Sequence, residues 1–103
     1  MTETLSHTGV LWRWVGGNAA WFFVTIDGAA GEALSATALM RRLESGKRTG
    51  WGMIKVEAQL GDSRWATSVF PSKDQGWLLP IKKAIRTAEG IAEGDAVMVE
   101  LRF

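Results

Sequence analysis

A chain of 103 residues, 47% apolar and 22% charged, is long enough to bury one core and too short for two. The absence of cysteine excludes a disulfide framework, a thiol nucleophile and a cysteine-based zinc site, and no apolar run approaches the roughly 20 residues that span a bilayer. The net charge of +1 hides an asymmetry: ten bases and four acids lie between Arg41 and Arg86, against two bases and seven acids elsewhere. Gathered on one surface, that excess would favour an anionic partner; interleaved in space, it would average out. Without a signal peptide the expected location is the cytoplasm, and a membrane is not an expected partner.

Residues 1–7 are polar and read as a flexible N-terminal tail, with a single domain over 8–103. Thr8 to Val15 alternates in the manner of a strand, Gly16-Gly17-Asn18 signals a hairpin, and Ala20 to Ile26 returns as a strand apolar on both faces. Such a strand belongs to a closed or covered sheet. Asp27, Gly28 and Gly31 mark a turn, after which Glu32 to Ser45 reads as a helix whose acid suits its start and whose Arg41 and Arg42 suit its end. A basic loop, Lys47 to Gly50, leads into Trp51 to Leu60, where Ile54, Val56, Ala58 and Leu60 alternate with Lys55, Glu57 and Gln59.

Gly61-Asp62-Ser63 turns the chain into an antiparallel return, Arg64 to Phe70, which Pro71 is expected to end for want of an N–H. After a polar loop, Trp77 to Leu79 is a short strand. Pro80 is then placed in the first turn of a helix, with Ile81, Ala84, Ile85 and Ala88 as its apolar stripe and Gly90 as its left-handed stop. Gly94-Asp95 turns into a last strand in which Val97, Val99, Leu101 and Phe103 share a face, and Asp95 is expected to bond local backbone N–H groups. The order β-β-α-β-β-β-α-β predicts a mainly β fold, a small closed barrel of about six strands with two short helices.

Four pieces of the chain carry a resemblance: G-W-G-M-I-K-V (Gly50 to Val56), W-A-T-S-V-F-P (Trp65 to Pro71), L-P-I-K-K-A-I-R (Leu79 to Arg86) and G-I-A-E-G-D-A-V (Gly90 to Val97). In order and spacing they resemble the bacterial Domain of Unknown Function 1905 family, and W-R-W with A-W-F-F-V is similar to its opening hairpin. The resemblance implies a β-barrel of the double-split type and brings no chemistry. Pro71, Pro80, Gly94 and Asp95 fall on its motif positions as structural residues. More distantly, L-P…R…G-I-A-E-G-D-A-V is similar to the AbrB-type swapped-hairpin barrels. Those build one barrel from two chains, whereas this chain is long enough to build one alone.

Lys82, Lys83 and Arg86, at i, i+1 and i+4, share a helical face that would either be solvated or bind an anion. Lys82 and Arg86 also fall on the family pattern L-P-x-K-x-x-x-R. With Arg48, Ser68 and Trp51 they form the candidate ligand-binding set, for a small anionic ligand. Six tryptophans and no tyrosine are expected mostly to fill the barrel. Any left exposed near Arg48, Arg64 or Lys73 would stack on bases, so sequence-tolerant nucleic-acid binding is the alternative. The only histidine, His7, lies in the tail, so Ser68 lacks a base and no catalytic residue is named. Carboxylates are scattered without metal-ligand spacing, and no metal or cofactor is expected. The expected assembly is a monomer or weak homodimer.

Overall fold

A computed structural model describes residues 3–45, 52–74 and 76–103. Six antiparallel strands close into a barrel in the order β1-β2-β5-β4-β3-β6. The elements are β1 (Thr4–Gly16), β2 (Ala19–Ile26), α1 (Gly28–Ser45), β3 (Ile54–Leu60), β4 (Ser63–Ser72), β5 (Gly76–Pro80), α2 (Lys83–Glu89) and β6 (Ala96–Arg102). The expected mainly β barrel with two helices is what forms. Among the described residues no helix is long and apolar enough to cross a membrane.

Two long strands each serve two partners. Thr4 to Val10 of β1 pair with β6, and Leu11 to Gly16 pair with β2. Likewise β4 pairs with β3 from Ser63 to Val69 and with β5 from Phe70 to Ser72. The chain divides into two ββαβ halves, β1-β2-α1-β3 and β4-β5-α2-β6. Exchanging the halves in the barrel order returns the same cyclic order, so the topology has a pseudo-twofold.

The inward positions follow the period of two: Ile54, Val56, Ala58 and Leu60 on β3, and Val97, Val99 and Leu101 on β6, are all buried. Leu11, Val24, Ile26, Leu34, Val69 and Leu79 complete the fully enclosed centre. Among the described residues no polar or charged side chain is buried.

Several boundaries differ from the sequence reading. The expected tail is part of β1 from Thr4 onward, because β6 supplies its hydrogen-bonding partner from the far end of the chain. Asp27 to Gly31, expected as a turn, opens α1: the Gly31 N–H donates to the Asp27 carbonyl at 3.1 Å. A Cβ on Gly31 would lie 2.7 Å from the Ile26 carbonyl oxygen, so glycine is what lets the helix start press against the end of β2. Pro71 does not end β4. It stands after β3 has left the strand at Val69, where that ladder no longer needs its donor.

Pro80 is the last residue of β5, opposite Phe23, and Lys82 is the N-cap of α2. The expected apolar stripe therefore shrinks to Ile81, which precedes the helix, and Ile85, while Ala84 and Ala88 are exposed. Gly90 does stop α2 in the left-handed region at φ 63°, and the Ile91 N–H returns to the Arg86 carbonyl. Asp95 accepts the Ala92 N–H through Oδ2 at 2.8 Å.

Of the five tryptophans described, Trp65 and Trp77 fill the barrel, at 7% and 4% exposed. The expectation that most would do so fails on β1 and β2. Trp12, Trp14 and Trp21 lie on the outer face of that hairpin, where Trp14 pairs with Trp21, and Trp12 packs 5.2 Å from Phe23 and donates to Thr25 Oγ1. Trp51 lies outside the described residues.

Leu101 bridges β1 and β3 at the closure of the barrel. Leu101→Ala is expected to cost about 2–5 kcal/mol in urea unfolding, as core truncations to alanine do. Met98→Ala, on the same strand but facing outward, should stay within about 0.5 kcal/mol of the parent.

Candidate functional site

Where β4 hands over from β3 to β5, the barrel wall opens. β4 and β5 pair only from Phe70 opposite Leu78 to Ser72 opposite Gly76, and before Phe70 the second edge of β4 has no strand beside it. On the other side β2 pairs with β5 from Phe23 onward, and its earlier residues have only β1. Between these two edges lies a cleft of about 790 Å³. Inward and outward residues line it together, Val56 with Lys55, Thr67 with Ser68, Phe22 with Trp21. That mixture arises where the walls are strand edges and not sheet faces.

The helices explain why one gap is open. In the first half α1, with 18 residues, packs across β1 and β5, buries Leu34 and accepts the Trp77 indole N–H on Ser35 Oγ at 3.0 Å. In the second half α2 has seven residues, packs on β4 and buries only Ile85. The shorter helix leaves its gap incompletely filled.

Charge gathers in that space. Lys55, Lys82, Lys83 and Arg86 line the cleft, and none of the described lining residues is acidic. Among the described residues, no carboxylate lies within ion-pair distance of any of the four. Arg86 is held in place: its guanidinium carbon sits 3.7 Å from the centre of the Phe22 ring, and its Nε donates to the Ile81 carbonyl at 3.2 Å. Those contacts use one ring face and one N–H, so the paired terminal amino groups of the planar fork stay uncommitted to either. Thr67 and Ser68 add two hydroxyls, and Trp21, Phe22, Trp65 and Phe70 supply rings.

The sequence-model of the Domain of Unknown Function 1905 family (DUF1905) matches residues 7–101. The chain belongs to the DUF1905 family. The matched span takes in both helices and every residue of the cleft, so the cleft is part of the DUF1905 domain and not an addition to it. No curated protein matches the chain in sequence.

Of the candidate ligand-binding residues, the DUF1905 barrel brings Lys82, Arg86 and Ser68 to one cleft. Arg48 and Trp51 lie outside the described residues. Arg86 is not on a solvated helix face but is half-buried against Phe22. Lys55 was missed because its alternation marks it only as an outward strand residue, like Glu57. The hairpin turn at Gly61-Asp62 carried the missing signal, since its register sets Lys55 directly opposite Ser68. Trp21 and Phe22 were missed because their edge of β2 faces the cleft only once β5 has turned into α2. His7, expected in a tail, lies on β1 with Nε2 3.4 Å from Asp27 Oδ1, away from the residues that line the cleft.

The pinned guanidinium is testable without a ligand. Phe22→Leu should remove the cation–π contact, cost about 1 kcal/mol, and speed exchange of the Arg86 Nε–H with water in NMR spectra. Unchanged exchange would show that Phe22 does not hold the side chain.

Proposed function

We propose that the protein is a non-enzymatic binding module that holds an anionic ligand in the cleft beside α2. The observation that carries this reading is the convergence of Lys55, Lys82, Lys83 and Arg86 on one cavity whose described lining contains no acid. An anion among these four cations would be attracted by each of them. Arg86 supplies a pre-oriented fork suited to a phosphate or carboxylate, while Lys82 and Lys83 act as point charges. Thr67 and Ser68 offer hydroxyl donors. The described lining has no carboxylate or imidazole to serve as a general base, and this supports holding over turnover.

A second reading is sequence-tolerant nucleic-acid binding. It is favoured by Trp14 and Trp21, which are 50% and 53% exposed on the hairpin that borders this basic cleft. Aromatic platforms beside cations suit single strands, and their binding weakens steeply with salt.

The experiment is an NMR titration with inorganic phosphate at low ionic strength, following backbone amides. Shifts are expected to centre on residues 66–68 and 81–86 and to be lost in the double variant Lys82→Ala, Arg86→Ala. Shifts that ignore the cleft, or an unchanged affinity in that variant, would end the anion assignment. A mixed-sequence oligonucleotide whose affinity holds steady from low to high salt would end the second reading.

A further inference from the structure

A bare inorganic anion needs neither a cavity of about 790 Å³ nor exposed aromatic surface, yet the cleft offers both. Clefts of roughly 300–1,000 Å³ are of the size that small organic ligands occupy. The rings in its wall are not equivalent. Trp65 is buried in the barrel, and one face of Phe22 is already covered by Arg86. Phe70 is 36% exposed and Trp21 53%, so Trp21 offers the largest free ring of the four; it also belongs to the aromatic row of the outer hairpin face through its stack with Phe23.

Its position relative to the cations follows from register. Phe23 stands opposite Pro80, and the Ile81 N–H donates to the Phe22 carbonyl at 2.9 Å, so the ladder runs one residue past the end of β5. Trp21 and Lys82 are the residues next to that bonded pair along each segment, and both line the cleft. The cleft is therefore bordered by an indole and by the cations Lys82, Lys83 and Arg86 together. Four cations without an acid are also more than a single negative charge calls for, and they suit a dianion.

We propose that the cleft takes a phosphate ester with a flat aromatic body, of the nucleoside monophosphate class. Its phosphate lies among Lys82, Lys83 and Arg86, and its ring stacks on Trp21. This rests on the anion-binding reading and adds to it the identity of the uncharged part. No covalent step is involved.

The test is calorimetric titration of the intact protein at low ionic strength with adenosine 5′-monophosphate, ribose 5-phosphate and adenosine. Adenosine monophosphate is expected to bind tightest, by roughly tenfold or more over ribose 5-phosphate, the scale of one base–aromatic stack. Adenosine, which lacks the charge, should bind more weakly than the nucleotide. Trp21→Phe should keep the preference for the nucleotide over ribose 5-phosphate, and Trp21→Leu should abolish it. Equal binding of the two phosphates by the parent protein would overturn the aromatic assignment while leaving the anion site standing. Binding of neither would overturn both. A preference that survives in Trp21→Leu would remove Trp21 from the site.

Discussion

The structure depends on a change of partner along two strands. β1 passes from β6 to β2 between Val10 and Leu11, and β4 passes from β3 to β5 between Val69 and Phe70. A strand carries hydrogen-bonding groups along both of its edges, and both are paired only in the interior of a sheet. A strand that switches partners therefore leaves one edge uncovered on either side of the switch. The same device that lets six short strands close a barrel also makes two openings in its wall. What fills each opening is decided by the helix that follows the neighbouring strand. α1 is long enough to cover its own, and α2 is not.

From this the character of the cleft follows. An opening framed by strand edges collects residues from both sheet faces, so it can be apolar and charged at once without burying a charge in the core. Lys55, Lys82 and Lys83 remain exposed to solvent, which keeps their mutual repulsion small. Arg86 is the exception. Its delocalised, weakly hydrated guanidinium tolerates half-burial against Phe22 where an ammonium would not.

Much of the barrel was legible because the alternation on β3 and β6 is clean and the turns at Gly61-Asp62 and Gly94-Asp95 use residues that turns demand. The errors share one cause. Thr4 to His7 look like a tail because the strand that orders them lies at the other end of the chain. Trp12, Trp14 and Trp21 look like core because composition says nothing about which face of a hairpin is covered. Pro80 reads equally well as a first-turn helix residue or a strand end, and the choice is made by Phe23 across the ladder. Lys82, Arg86 and Ser68 could be named from type and spacing. Their meeting with Lys55, Phe22 and Trp21 could not, because it depends on β2, β4 and α2 being folded against one opening. The family match adds the fold's lineage and no chemistry.

The two uncovered edges have a consequence for the protein as a solute. A bare strand edge is a template for a strand from another molecule, and here two face a common gap. Lysines are among the residues that natural sheets place at such edges to discourage intruders, and this gap is ringed by three. The charges that line the cleft are thus of the kind that discourages a strand of another copy from adding there. Trading those lysines for apolar residues would leave the two edges beside an apolar gap, the kind of surface on which strands from other molecules add.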